Sequence, residues 1–111
     1  MNAAAPTREQ LSLPAVLEAL ANPLRLRVVA QLAAAPEAGL SCGELLPDVS
    51  KSTASHHWRI LRDAGILEHR RDGRHIRPVL RRADLDARFP GLLDVVLANA
   101  RELVRPASAT S

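Results

Sequence analysis

Ser50-Lys51-Ser52-Thr53-Ala54-Ser55-His56-His57-Trp58-Arg59-Ile60-Leu61-Arg62-Asp63-Ala64-Gly65-Ile66-Leu67 is the stretch that decides the fold. Ser50 is a helix N-cap, the run Lys51 to Ala64 predicts a helix, and Gly65 ends it in a left-handed cap. Stepping 100° per residue gathers Ala54, His57, Trp58, Ile60, Leu61 and Ala64 on one arc. Ser52, Ser55, His56, Arg59 and Asp63 fall on the other. The first arc is core, with Trp58 a core residue and His57 a buried, hydrogen-bonded histidine. The second is polar, and all its members but Asp63 can donate hydrogen bonds to bases or phosphates. These are the properties of the recognition helix of a helix-turn-helix, which lies in the DNA major groove.

Upstream, Ser41 and Glu44 form a capping box for a short helix, Cys42 to Leu46. Pro47-Asp48-Val49 is the turn of the helix-turn-helix. Asn22-Pro23 reads as a cap followed by proline at the first helical position, which opens a helix to Ala34 with Leu24, Val28, Val29 and Leu32 inward. Residues 35–39 form a loop. A first helix is expected from Arg8 to Ala21, capped by Thr7, with Leu13, Val16, Leu17 and Leu20 on one stripe. Pro14 lies inside that span and allows the regular helix to begin only there, with Leu11 to Leu13 a separate turn.

Downstream, Ile66 to Arg71 and Arg74 to Leu80 read as strands flanking Asp72-Gly73, the strongest two-residue hairpin signal. Asp84 is a candidate cap for a short turn. A last helix is expected from Pro90 to Val104. The predicted architecture is mainly α with a small β-hairpin: a winged helix-turn-helix with an added helix at each end. One domain spans 1–111, with a core of about 8–104 and frayed tails at 1–7 and 106–111.

Composition agrees. Of 111 residues, 47% are apolar, and Trp58 and Phe89 are the only aromatics, so the core is aliphatic and favours packed helices. Residues 51–82 hold nine Lys and Arg against three acids, a net +6, while the remainder holds six against nine, a net −3. Such segregation marks a polyanion-binding face. No apolar run is long enough to cross a membrane, and residues 1–10 lack a secretory pattern, which reads as cytoplasmic. No Gly-rich phosphate loop and no paired metal ligands suggest an enzyme.

DNA-binding roles follow from position. Lys51, Ser52 and Thr53 occupy the first turn of the recognition helix, where backbone N–H groups and the helix dipole favour phosphate. Ser55, His56 and Arg59 point outward along its middle. Arg59 can fork onto guanine O6 and N7 or hold a phosphate, and both readings stay open. Arg70, Arg71, Arg74 and Arg77 surround the hairpin tip, with Arg71 and Arg74 the foremost wing contacts. Charge there also guards an exposed strand edge against pairing with another chain.

Ala21-Asn22-Pro23-Leu24-Arg25-Leu26-Arg27-Val28-Val29, taken with residues 50–67, resembles the ArsR/SmtB family of bacterial repressors. The likeness covers residues 15–82. It implies a homodimeric winged-helix repressor, joined through its first and last helices and released from double-stranded DNA by an inducer. Leu13, Val16, Leu17, Leu20, Leu92, Leu93 and Val96 are the interface candidates. The family's metal sites do not carry over. Where arsenic- or cadmium-sensing members have Cys-x-Cys, this chain has Ser41-Cys42-Gly43, and one thiol per chain cannot hold a soft metal. No histidine follows Arg82 to join Asp84 and Asp86 in a zinc site. No metal and no cofactor are expected, and the effector is unknown.

Two other readings compete. Cys42 sits in the first turn of a helix, where the dipole lowers a thiol's pKa. That suggests a redox sensor or a bridge between subunits, whereas a small half-buried apolar residue is the plainer role. A winged helix can also serve as a protein-interaction module, but such a surface carries exposed apolar anchors, and Ser52, Ser55, His56 and Arg59 are not anchors.

Overall fold

In a computed structural model of the chain, residues 5–36 and 39–100 are described. Pro14 breaks the first helix. A 3-10 turn at Arg8–Gln10 comes first, and its Thr7 N–H donates to Gln10 Oε1 at 3.0 Å. Helix α1 (Leu13–Leu20) then starts with Ser12, not Thr7, as its cap and Pro14 in its first turn. Proline is tolerated there because that N–H has no helical partner. Asn22 caps α2 (Pro23–Ala34) through Oδ1, which accepts from the N–H groups of Leu24 and Arg25. The Ser41/Glu44 capping box opens α3 (Cys42–Leu45). After the turn at Pro47-Asp48, Ser50 caps α4 (Lys51–Asp63).

Strands β1 (Leu67–Asp72) and β2 (His75–Leu80) form an antiparallel hairpin. The two loop residues are Gly73 and Arg74, one position later than expected, because Asp72 pairs with His75. An Asp-Gly loop of type I′ would force a positive φ on Asp72. Here Gly73 alone takes it, at +64°, in the first loop position, as a II′-type turn requires.

The C-terminal third departs further from expectation. Asp84 caps nothing; it lies in the first turn of α5 (Arg82–Arg88), where its carboxylate accepts from Arg8 and Arg81. The last helix, α6 (Leu92–Ala98), starts two residues late because Gly91 has φ +84°, which no helix admits. It ends at Asn99, whose Nδ2 takes the Val95 carbonyl at 2.7 Å. The expected continuation over residues 101–104 lies outside the described residues, as do residues 1–4, the loop positions 37–38 and the tail 106–111.

One core runs through all these elements: Val16 and Leu20, Val28, Val29 and Leu32, Leu45, Trp58 and Leu61, Ile66 and Leu67, Leu85 and Leu93. Each fully buried aliphatic contributes roughly 1.5–3 kcal/mol. Val16, Leu20 and Leu93 thus belong to the chain's own interior and cannot face a partner, which corrects the expected interface. Leu13 and Leu17, 41% and 46% exposed, keep their outward position; Leu92 and Val96 are half-buried.

The segment before α1 is fastened down, so positions 6 and 7 are not frayed. Arg81 Nη1 donates to the Pro6 carbonyl at 2.6 Å, Arg8 pairs with Asp84 at 2.8 Å, and Arg88 Nη2 donates to the Leu11 carbonyl at 3.0 Å. This strap lies over the end of α4. Gly65 has φ +81°, and a Cβ there would collide with Leu11 and Pro6.

Candidate DNA-binding surface

The polar arc of α4 forms as expected. Ser52, Ser55, His56, Arg59 and Asp63 are exposed, as are Lys51 and Thr53, while His57, Trp58 and Leu61 are buried. Ser50 Oγ accepts from the Thr53 N–H at 3.3 Å, which leaves the other first-turn donors of α4 turned to solvent. An open groove separates α4 from the hairpin, with Ser55, Arg59 and Arg62 on one side and Glu68, His69 and Ile76 on the other. Helix and hairpin therefore flank a common concave face.

The basic residues divide into two groups. Among the described residues, Lys51, Arg59, Arg71, Arg74 and Arg77 form no ion pair, and their charge is free for a polyanion. Arg62 and Arg70 are engaged: Arg62 pairs with Asp63 at 3.5 Å, and Arg70 Nε and Nη2 both reach Glu68 Oε1, at 3.1 and 2.7 Å. Arg81 and Arg82, counted in the basic segment, serve the body instead. Arg81 binds Asp84 and Pro6, and Arg82 bridges Asp86 and Asp94. The free positive charge is thus concentrated on α4 and the hairpin.

Two histidines lie at the inner side of α4, His57 within the helix and His69 beside it. His57 packs toward the body, and its pKa is held below the ordinary value by burial, by Arg25 and by His56. His69, on β1, lies edge-on to Trp58 at 6.2 Å between ring centres, and burial and then Arg62 lower it as well. Both shifts favour the neutral ring. Sequence reading missed His69 and also Arg25, which is only 8% exposed. Arg25 carried a signal: with Val28, Val29 and Leu32 it makes an i, i+3, i+4, i+7 stripe, so it occupies a core position that Leu24, half-buried, does not.

Cys42 lines the same groove, half-buried. Burial pushes its thiol up, ahead of the backbone hydrogen bond that lowers it, which runs against the lowering that its helix position suggested. A four-residue helix has too small a dipole to reverse that balance.

A family model described as a helix-turn-helix domain matches residues 20–70. The crystal structure of an ArsR family transcriptional regulator superposes with a TM-score of 0.58 at 25% identity, over 89% of this chain and 94% of that one. The uncharacterized HTH-type transcriptional regulator YceK of Bacillus subtilis (strain 168) is 32% identical over 83 residues, 73% of this chain and 82% of the relative. The chain belongs to the ArsR/SmtB-like winged helix-turn-helix regulators. Two further proteins are similar. The HTH-type transcriptional regulator YgaV of Escherichia coli (strain K12) is 36% identical over 64 residues, 56% of this chain and 63% of that one. The crystal structure of the transcriptional repressor BigR from Xylella fastidiosa has a TM-score of 0.55 and 27% identity, covering 82% of this chain and 81% of that one. As a family member this chain is a DNA-binding transcriptional regulator, and among its described residues no helix is long and apolar enough to cross a membrane.

Proposed function

We propose that this ArsR/SmtB-like regulator is a homodimeric repressor that reads its operator with α4 and braces the DNA backbone with the hairpin. The observation that carries the reading is the shared groove: Ser55, Arg59 and Arg62 of α4 face Glu68, His69 and Ile76 of the hairpin across one concave surface, and the unpaired Arg71, Arg74 and Arg77 belong to that same hairpin. Ser52 and Thr53 meet phosphate at the start of α4, Ser55, His56 and Arg59 meet base edges or the neighbouring phosphates, and Arg71, Arg74 and Arg77 follow the backbone. Arg70 contributes less because Glu68 holds it. The likeness to BigR, a transcriptional repressor, supports repression over activation.

Dimerisation rests on apolar surface that the described residues leave exposed. Leu13 and Leu17 stand one turn apart on α1, and Val95 on α6 is 63% exposed. Val95 replaces the buried Leu93 in the interface, beside Leu92 and Val96. Residues 1–111 act as one DNA-binding domain in each subunit.

The effector is not a metal. In α3 the only thiol is Cys42, flanked by Ser41 and Gly43, and Asp84, Asp86 and Asp94 are each neutralised by arginine, which competes with a cation for the same oxygens. Among the described residues, the donor set does not fit either family metal site. The raised thiol of Cys42 also speaks against the redox-responsive alternative.

The test is a repressor assay with DNA carrying the stretch upstream of this gene, fused to a reporter. Repression by the wild-type chain, lost in Arg59→Ala with Arg74→Ala, supports the proposal. A reporter indifferent to the protein contradicts it.

A further inference from the structure

Arg25 is an almost fully buried cation that, among the described residues, pairs with no carboxylate. A charge in that position demands strong hydrogen bonds. Its Nε donates to the Ala19 carbonyl at 2.6 Å and its Nη2 to the Glu18 carbonyl at 3.3 Å. Both carbonyls belong to the last turn of α1, the negative end of that helix. Its remaining arm, Nη1, lies 3.1 Å from Nδ1 of His57 on the inner side of α4. One guanidinium thus joins three helices.

Arginine can only donate, so His57 Nδ1 must accept, and its ring proton sits on Nε2. We infer that Arg25 is a positioning residue for DNA reading: through neutral His57 it sets the rotation of α4 about its own axis. This inference rests on the reading of α4 as the DNA-contacting helix.

The geometry explains why rotation matters. His57 lies beside His56 in the chain, and Arg59 emerges on the opposite side of the helix. Side-chain tips lie about 5–6 Å from a helix axis, so a turn of about 15° moves a tip by about 1.5 Å. Hydrogen bonds to base edges do not survive such a shift. The Arg25–His57 contact is the charge-assisted hydrogen bond in an otherwise largely apolar seat built on Trp58 and Leu61, and dispersion contacts alone fix a helix's rotation less sharply.

Protonation of His57 would place an N–H, and a second positive charge, against the buried guanidinium. The charged and titratable groups facing the ring are Arg25 from α2 and His56 from α4, and both oppose protonation. From α1 the cluster receives the two main-chain carbonyls, which are already engaged by Arg25. The reading position of α4 is therefore available only while His57 is neutral.

The test uses the full chain with labelled histidine nitrogens. Long-range nitrogen–proton spectra report the tautomer and titration midpoint of His57 in the wild type, Arg25→Lys and Arg25→Met. Fluorescence anisotropy reports binding to a duplex that the wild-type chain has selected from a random pool. In the wild type the proton should reside on Nε2, with a midpoint below the ordinary 6.5. In Arg25→Met the midpoint should rise. Both variants should lose about tenfold in affinity, the equivalent of one charge-assisted hydrogen bond. Lysine keeps the charge but cannot fork between α1 and His57, so it should not rescue. Affinity should also fall as pH drops through the His57 midpoint, measured in a His56→Gln background that removes the neighbouring titration. An unchanged His57 midpoint in Arg25→Met, or wild-type affinity in both variants, overturns the inference. If Arg25→Met does not fold, Arg25→Lys alone decides. Should Arg59→Ala leave affinity untouched while His57 behaves as stated, it is the reading of α4 that fails, and the two failures remain distinct.

Discussion

Arg70 on β1 stands directly opposite Arg77 on β2, and Glu68, two residues away on the same face, closes on Arg70 at 2.7 Å. Like charges opposed across a hairpin are destabilising, and Glu68 offsets that repulsion while removing one cation from the DNA-binding surface. The ion pair is solvent-exposed and adds little to folding. Its larger effect is on binding. Glu68→Gln should free Arg70, raise affinity for duplex DNA at low salt and steepen the salt dependence by about one counterion. Anisotropy over a salt series checks this, and an unchanged slope would mean that Arg70 does not reach phosphate.

Arg59→Ala should weaken operator binding by ~1–3 kcal/mol and relax the preference at one base pair. Binding to a set of single-base operator variants measures it. A loss equal across all variants would assign Arg59 to phosphate instead.

Leu17→Glu should leave the fold intact, because the side chain is already 46% exposed, and should convert the dimer to monomer. Sedimentation velocity with thermal unfolding separates the two effects. A variant that remains dimeric would place the interface away from α1.

Gly65→Ala should cost more than Gly73→Ala. Both glycines have positive φ, which costs an L-residue roughly 1–2 kcal/mol. At Gly73 a methyl meets open space, whereas at Gly65 it also displaces Leu11 and Pro6, which belong to the strap that lies over the end of α4. Urea midpoints of the two variants give the comparison directly.

Acid should destabilise the fold through His57 and His69. Each has its pKa lowered by burial first, so the unfolded chain binds protons more readily than the folded one. Stability that is fully present above the ordinary value of 6.5 is lost as pH falls through the lowered folded values. Trp58, beside His69, provides the fluorescence signal. The urea midpoint should fall on going below that pH, and the fall should shrink in His69→Gln.

Much of this arrangement is legible in the chain. Asn22-Pro23, Ser41 with Glu44, and Ser50 with Gly65 each mark a helix end by backbone chemistry, and each mark lies where the structure places it. The two faces of α4 follow from angular spacing alone. Other features depend on distant partners. The strap of Arg8, Arg81 and Arg88 joins residues more than seventy positions apart, so charge counting assigned Arg81 to the basic face when its partners lie on the body. Asp72-Gly73 pointed to the hairpin but not to its register, because Gly73 can take either loop position and strand pairing chooses between them. Arg25 occupied a core position in plain view, but a charged residue on an apolar stripe is legible only once its acceptors are known.

The central claim, that α4 and the hairpin together grip operator DNA as a dimer, is tested most directly by fluorescence anisotropy. The protein would be titrated onto duplex from its own upstream region and onto a scrambled duplex, across a salt series. The account predicts tight binding to the first alone, two chains per site, a steep salt slope, and a shallower slope in Arg71→Ala with Arg74→Ala. Equal, weak binding to both duplexes, or a slope indifferent to the hairpin arginines, would contradict it.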